Sequence, residues 1–303
     1  MDHRSRFVFA SNLPLEESIR WAVAHDFTRV DFNADVPVNY PGTFTPERAA
    51  LIRDLLARHG VALGIHTLSA INMAEISPVM HAAIDEYLRQ NFDLAVALGA
   101  GYVICHGGYH FGGDREARFA TAIDRMRRAA TWAEERGIDI YFENHNKEPD
   151  DAEMHYIPRD VAETRRFFDA ITSPRLRGRS TSAMPTRPGR LRWLLRRLRR
   201  GKHRPGALLN DTHGRYEEHL LPGQGIVDFR RVFRRLTAAG YTGSLHVRFR
   251  QRRGPRRLAR HLRAVAGGVI GSRSAAKVLL ADGAFHEEVH IRGWVRESFI
   301  RGG

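Results

Sequence analysis

The sequence predicts a (β/α)₈ barrel, a closed ring of eight parallel strands surrounded by helices. Short apolar or β-branched runs alternate with longer segments of helical period, a pattern typical of repeated strand–helix units around a parallel sheet. Five such units fill the first 171 residues of the 303-residue chain. No glycine-rich phosphate loop follows the first predicted strand, which argues against a doubly wound open sheet.

The first five predicted strands are short runs rich in β-branched and aromatic residues. They cover Arg6–Ser11, Arg29–Asn33, Ala62–Thr67, Tyr102–His106 and Asp139–Glu143. The predicted helices cover Leu15–His25, Pro46–His59, Pro78–Leu98, Arg115–Arg136 and Pro158–Ile171. A proline in the first turn opens the second and third helices, and a glycine follows the second, third and fourth, as expected at helix ends.

The same rhythm resumes after residue 206, with a predicted strand at Ala207–Asn210, a helix at Asp228–Ala239 and a strand at Ser244–Phe249. One further unit within residues 173–206 would bring the count to eight, in about 250 residues, which is the usual size of this barrel. We therefore predict that residues 1–267 form the barrel. Residues 268–303 are left as a tail of unknown structure.

Composition excludes several classes of protein. With 43% apolar and 27% charged residues, the chain is neither collagen-like nor disordered. Because Cys105 is its single cysteine, the chain cannot form an internal disulfide. It has no signal-peptide pattern and no apolar run near the roughly 18 residues that a membrane span requires. We therefore expect a cytoplasmic protein without a membrane span.

The positive charge is concentrated in two blocks. Residues 173–206 contain eleven arginines and one lysine, residues 248–263 contain eight arginines, and neither block has an acidic residue. Because these blocks carry 20 positive charges and the whole chain has a formal net charge of +14, the remainder is acidic, at −6. Such blocks could bind nucleic acid, with Trp193 available for stacking, or form an amphipathic helix for a membrane surface or partner. The nucleic-acid role is not the favoured interpretation.

Metal-ligand side chains stand at the ends of three successive predicted strands: His66, His106 and Glu143. The carboxyl ends of barrel strands meet at one rim, so these side chains should converge. Two imidazoles and a carboxylate suit a divalent cation of borderline or hard character, such as Mn, Mg, Co or Zn. A single histidine at a strand end is more often a hydrogen-bonded structural residue than a ligand. Ligand-type side chains at three successive strand ends instead favour a metal site.

Longer stretches of the chain resemble a known family. They include Gly64-Ile65-His66 with Ile71-Asn72-Met73-Ala74, His106-Gly107-Gly108, Phe142-Glu143-Asn144, Leu209-Asn210-Asp211, and the run from Glu217 to Phe229 that contains Leu221-Pro222-Gly223-Gln224-Gly225. Over residues 5–171 and 208–250 the chain is similar to the xylose-isomerase-like barrel superfamily. That superfamily contains sugar-phosphate isomerases and epimerases as well as endonuclease IV.

The resemblance implies two alternative sites. In the isomerase branch, Glu143 would ligate a metal with an Asp, a His and a Glu from strands six to eight, and two glutamates would move a proton beside a sugar carbonyl. In the endonuclease branch, His66, His106, Glu143, Glu217 and His219 would help to hold a metal cluster that cleaves phosphodiesters. Substrate contacts are expected from Asp31, His145, Asn146 and Asp211. For Asp31 a structural bond at the barrel rim is the favoured role. His145 and Asn146 could instead cap the loop after the fifth strand, and Glu217 and His219 could instead belong to a solvated loop before a Pro-Gly turn.

The chain departs from the family pattern at the late strands. The Asp-x-Gly-His motif of strand six is absent near residues 180–185, Leu208 takes the place of the strand-seven histidine, and Arg248 that of the strand-eight glutamate. Of the four ligands expected for an isomerase, only Glu143 is present. Residues 173–206 are thus an atypical arginine-rich insert or a segment read in a shifted frame.

A shifted reading frame would explain the loss of the motif. One codon choice for Gly178–Arg187, read two bases later, encodes Ser-Ile-Asp-Val-Gly-His-Ala-Asn-Pro, which restores Asp-x-Gly-His. Acid-free, arginine-rich segments are also what GC-rich DNA encodes out of frame. Residues after Arg248 could contain a second slip. Sequencing of the source DNA decides between these alternatives.

The sequence therefore predicts a metal-dependent isomerase or epimerase of a sugar or sugar phosphate, impaired in this chain because the late ligands are missing. An arginine at position 248 cannot serve as the second base. The alternatives are an endonuclease IV-like phosphodiesterase and a catalytically inactive barrel that binds a partner through its basic face. The sequence leaves open whether the chain forms a homo-oligomer.

Overall fold

A computed structural model of the chain contains a sheet of eight parallel strands, with five α-helices among the described residues. The structure describes residues 8–11, 13–24, 28–68, 70–145, 148–181, 207–209, 211–214, 220, 223–229, 231, 245–249 and 287–291. The predicted helix Asp228–Ala239 therefore lies almost wholly outside the described residues.

The strands, in chain order, are β1 Val8–Ser11, β2 Arg29–Asn33, β3 Ala62–His66, β4 Tyr102–Cys105, β5 Tyr109–His110, β6 Asp139–Glu143, β7 His155–Tyr156, β8 Leu176–Thr181, β9 Ala207–Leu209, β10 Leu245–Phe249 and β11 Glu287–Ile291. The large sheet runs β1-β2-β3-β4-β6-β8-β9-β10-β11, and its first eight strands are parallel. Strand β11 pairs antiparallel with β10 and also contacts β1. The predicted barrel fold is confirmed, but the antiparallel β11 stands between β10 and β1, and the described strands show no hydrogen-bonded ladder between β11 and β1.

The helices are α1 Leu15–Ala24, α2 Pro46–His59, α3 Pro78–Leu98, α4 Arg115–Arg136 and α5 Val161–Ala170. Gly60, Gly99 and Gly137 end α2, α3 and α4 in left-handed conformations, as the sequence predicted. The expectation that α5 begins at Pro158 is wrong, because the Asp160 carboxylate accepts the Glu163 N–H at 2.9 Å and starts the helix there. None of the helices in the described part of the chain has the length and apolar character needed to cross a bilayer.

Two features were not predicted. Strands β5 and β7 pair antiparallel beside the rim, and each is only two residues long, too short to show an alternating pattern. Within residues 268–303, expected as a tail of unknown structure, residues 287–291 form β11 and join the sheet.

The strands bury two chemically different faces. The outer face carries apolar side chains, such as Phe32, Ile65 and Phe142, that pack among the buried residues of the surrounding helices. The inner face is mostly polar, and Tyr102, Ile104 and Tyr141 form a separate small cluster there. Cys105 and His106 illustrate the alternation, because the thiol belongs to the outer apolar core while the imidazole belongs to the rim.

Gly64 makes room inside the barrel. The pairing register places it between Asp31 on β2 and Tyr102 on β4. A Cβ at position 64 would overlap the Tyr102 ring and would lie 2.8 Å from Oδ1 of Asp31. The absence of a side chain on Gly64 is thus what allows the Tyr102 hydroxyl to reach the Asp31 carboxylate.

We expect Gly64→Ala to lower the free energy of unfolding by about 1–3 kcal/mol, because the barrel interior must move to admit the methyl group. Denaturant unfolding measures this change. Gly101→Ala is the matched control, since nothing lies within 4 Å of a Cβ there. Equal stability of the two variants would contradict the packing argument.

Candidate metal and active site

Three ligand-type side chains meet at the carboxyl ends of β3, β4 and β6. His66 ends β3, His106 follows β4, and Glu143 ends β6. Each offers one ligand atom, and the three atoms lie within 4.8 Å of one another. His66 Nε2 is 3.7 Å from Glu143 Oε2, and the two imidazole centroids are 5.1 Å apart. The structure thus brings together the three side chains that the sequence singled out as early ligands.

A backbone contact sets the tautomer of His66. Its Nδ1 lies 2.9 Å from the Thr67 carbonyl oxygen, which can only accept a hydrogen bond. A neutral His66 therefore carries its proton on Nδ1 and leaves the Nε2 lone pair facing Glu143. Thr67 is itself held to the carbonyl of Ile104 on β4, so this ring is anchored to two strands.

His106 is buried, and neither of its ring nitrogens has a hydrogen-bond partner among the described residues. Burial lowers its pKa well below the usual value, and the neighbouring imidazoles of His145 and His66 lower it further. The ring is therefore neutral at pH 7. A buried imidazole without a partner is costly, and binding an external ligand would remove that cost.

Glu143 is buried but ionised. Burial alone would raise its pKa, but the neighbouring charge of Arg179 is the main cause that outweighs burial and lowers the pKa below the usual value. Nε of Arg179 lies 3.3 Å from Glu143 Oε2. The carboxylate therefore faces His66 on one side and a fixed guanidinium on another.

The contacts of Asp31 are structural. Its carboxylate accepts a hydrogen bond from the Tyr102 hydroxyl and one of 2.9 Å from Nη1 of Arg179. Burial, followed by the charge of Asp31, raises the pKa of Tyr102 well above its usual value, so the hydroxyl stays protonated and donates. Of the two roles expected for Asp31, these contacts are those of the structural bond.

His145 belongs to a stack of rings beside the metal cluster. Its ring centroid lies 4.0 Å from that of His106 and 4.0 Å from that of Tyr156, with an interplanar angle of 14° to the tyrosine. The stack forms a wall of the rim next to His106. Asn146, Glu217 and His219, expected at or near the site, lie outside the described residues.

We expected Asp211 to contact substrate, but its carboxylate is occupied by the backbone. It is fully buried and accepts the N–H groups of Thr212, Gly223, Gly225 and Val227 at 2.7–3.0 Å. Four backbone donors satisfy the carboxylate and hold together the two ends of the loop that follows β9. Asp211 therefore organises this loop.

The three early donors suit a divalent cation, since neutral imidazoles and a carboxylate are its usual ligands and His106 is an orphaned buried group. At the late positions where the resemblance implies ligands, the described strands carry Ser180 on β8, Leu208 on β9 and Arg248 on β10, and none of these three is an imidazole or a carboxylate. The described residues reach only Thr181 of the segment with the suspected frame shift, and that hypothesis stays a prediction.

A family model described as xylose isomerase-like TIM barrel matches residues 19–178, more than half of the chain. The chain belongs to this family. Among curated proteins no sequence matches it significantly. Family members typically use divalent metals, and the cluster of His66, His106 and Glu143 is where this chain could bind one.

Solved structures show the same fold. A D-tagatose 3-epimerase-like protein is 20% identical, with a TM-score of 0.62 over 78% of this chain and 88% of that one. D-psicose 3-epimerase from Clostridium cellulolyticum H10, solved with D-tagatose, is 13% identical, with a TM-score of 0.61 over 78% and 79%. A family 2 AP endonuclease from Brucella melitensis is 18% identical, with a TM-score of 0.57 over 80% and 91%.

Sequence reasoning missed Arg179 and Tyr102 as members of the site. For Arg179 a signal was available in the sequence. Arg177 and Arg179 alternate with Leu176 and Gly178, as side chains do when they point to opposite faces of a strand. For Tyr102 the signal was Gly64, whose missing side chain leaves room for a large ring on the next strand.

We expect Asp31→Ala to destabilise the protein by about 3 kcal/mol, because it removes one of two carboxylates that compensate a buried guanidinium and also the acceptor of Tyr102. Asp54→Ala, which breaks the exposed pair with Arg58, is the control and should cost less than about 0.5 kcal/mol. Denaturant midpoints measure both values, and similar costs would count against a buried ion pair at Asp31.

We expect Asp211→Ala to open the loop between residues 211 and 227, because four backbone donors lose their common acceptor. The loss should be about 2–4 kcal/mol, with faster amide exchange at Gly223, Gly225 and Val227. Asp228→Ala is the control: it removes the bond to the Arg231 N–H, which lies outside the Asp211 carboxylate contacts, and should leave these amides protected. Unchanged exchange in Asp211→Ala would show that another contact holds the loop.

Proposed function

We propose that the chain is a metal-dependent isomerase or epimerase of a sugar or sugar phosphate whose activity is impaired. The observation that carries this proposal is the meeting of two imidazoles and one ionised carboxylate within 4.8 Å at the carboxyl rim of the barrel. In this fold, active sites lie at that rim. The family and the epimerases of the same fold agree with the reaction class.

In this proposal His66 and His106 hold the ion through their nitrogen lone pairs, and Glu143 holds it or takes a proton from the sugar. A bound divalent ion would supply Lewis-acid polarisation of adjacent sugar oxygens. His66 is the partly exposed member, with 26% of its side chain accessible, so substrate would approach from its side of the cluster. The stacked rings of His106, His145 and Tyr156 would form an adjoining wall.

Two features account for the impairment. Glu143 is a weak base because its pKa is lowered. Epimerisation also needs a base on each face of the reacting carbon, and the residue at the expected second position is Arg248, which cannot accept a proton. A single base can remove a proton and return a solvent deuteron to the same face. Exchange with retention of configuration is the activity that one glutamate can support.

We expect the chain, incubated with D-tagatose and Mn²⁺ in D₂O, to exchange a carbon-bound proton slowly while forming little or no epimer. Proton NMR follows both processes. Glu143→Gln should abolish the exchange, because an amide cannot serve as the base. The proposal fails if exchange equals that of Glu143→Gln with each of Mn²⁺, Mg²⁺, Co²⁺ and Zn²⁺. Fast epimerisation would instead contradict the impairment alone.

The second candidate is an endonuclease IV-like phosphodiesterase. The specific observation in its favour is the presence of two imidazoles in the cluster, because imidazole nitrogen is a preferred ligand of zinc. Nicking of a duplex at an abasic site, inhibited by a chelator and lost in His106→Asn, would support it over the isomerase. An intact duplex after prolonged incubation with Zn²⁺ would exclude it.

A catalytically inactive barrel that binds a partner through its arginine blocks remains the third candidate. Most of both blocks lies outside the described residues, so its support comes from the sequence. Metal content separates it from the two enzymes: a purified chain that binds no divalent ion at millimolar concentration favours this candidate.

A further inference from the structure

Arg179 is the residue of β8 that pairs in register with Glu143 of β6. Its side chain is 1% exposed, and it joins two carboxylates that are themselves 2% and 3% exposed. Nη1 lies 2.9 Å from Asp31 Oδ2, and Nε lies 3.3 Å from Glu143 Oε2. The guanidinium therefore sits inside the barrel between the carboxylates of β2 and β6.

The oxygen that faces Arg179 is also the oxygen that faces His66. Glu143 Oε2 is 3.3 Å from Arg179 Nε and 3.7 Å from His66 Nε2. A zinc-type ion bound to both ligands would lie about 2.0–2.2 Å from that oxygen. It would then be only a few ångströms from the guanidinium, and the repulsion between like charges is strong in a buried site.

The guanidinium also supplies the charge that a metal would supply. A buried carboxylate needs a compensating cation, and Glu143 already has one. Arg177, two residues earlier on the same strand, differs in this respect. Its Nε pairs with Asp139 Oδ2 at 2.9 Å, at the opposite end of β6 from Glu143. The two arginines carry the same charge and, being two residues apart on β8, point to the same face of the sheet. Of the two, Arg179 is the one that contacts the cluster.

We propose that Arg179 is an internal cation that competes with a divalent metal ion for Glu143 and sets the metal affinity of this chain. The proposal rests on the function proposed above, since it takes His66, His106 and Glu143 to be a cation site. Removal of the guanidinium leaves the buried carboxylates of Asp31 and Glu143 without their shared cation, and a divalent ion at Glu143 would then meet no competing positive charge from Arg179.

The experiment compares Co²⁺ binding by the whole chain and by Arg179→Gln, using visible absorption of the bound ion and isothermal titration. Arg179→Gln should bind Co²⁺ at least about tenfold more tightly, because one positive charge next to the ion is removed. Arg177→Gln is the matched control and should bind as the unmodified chain does. Addition of Glu143→Gln to Arg179→Gln should abolish the gain, which places the ion at this cluster.

Each outcome has a distinct meaning. Equal affinities of Arg179→Gln and Arg177→Gln, with clear binding by both, overturn the competition and leave the proposed metal site intact. Absence of binding by every variant overturns both the competition and the metal-dependent function. Tight binding by Arg179→Gln without proton exchange in the sugar supports the competition and overturns the proposed activity.

Arg179→Gln leaves Asp31 with less compensation and could unfold the chain. Asp31→Asn combined with Arg179→Gln removes both charges of that pair and keeps an acceptor for the Tyr102 hydroxyl. Circular dichroism establishes that the barrel is folded, and the double variant should show the same tighter Co²⁺ binding. Affinity no higher than that of the unmodified chain in this folded variant would overturn the proposal.

Discussion

The polar interior of the barrel depends on one ionic arrangement, in which Arg179 compensates both Asp31 and Glu143 away from water. Two isolated carboxylates at that depth would take up protons or draw in a cation, because a low-dielectric interior penalises uncompensated charge. The charge of the arginine lowers the pKa of Glu143 and so keeps that carboxylate ionised. The Tyr102 hydroxyl contacts one of these two carboxylates, and the His66 ring faces the other.

That arrangement gives the departures from the family pattern a physical meaning. At two late positions where the resemblance implies ligands, the described strands carry Leu208 and Arg248, neither of which can hold a divalent ion as a ligand. In addition, a guanidinium already lies beside Glu143. The early half of the barrel contains the candidate metal ligands His66, His106 and Glu143 and the glycine that makes room for Tyr102. It also contains the Thr67 carbonyl that sets the tautomer of His66. From the later strands, Arg179 on β8 brings a positive charge to the site.

Much of the fold was predictable from the sequence, because helix ends and buried strands leave local signals. The bounds of α2, α3 and α4, and of β2 and β6, match the prediction, since prolines, capping glycines and apolar runs mark them. Strands β5, β7 and β11 were missed because their pairing is set by tertiary contacts. The convergence of His66, His106 and Glu143 followed from strand order. The role of Arg179 was missed because it depends on which residues of β8 point into the barrel, and the arginine-rich composition of this segment did not look like that of a strand.

The stacked rings of His106, His145 and Tyr156 have a spectroscopic consequence. Aromatic currents shield nuclei held above a neighbouring ring, so the carbon-bound imidazole protons of His145 should resonate well upfield of those in an unfolded chain. Their chemical shifts depend steeply on ring separation. The stack is therefore a built-in reporter of any small displacement of His106, readable without a label.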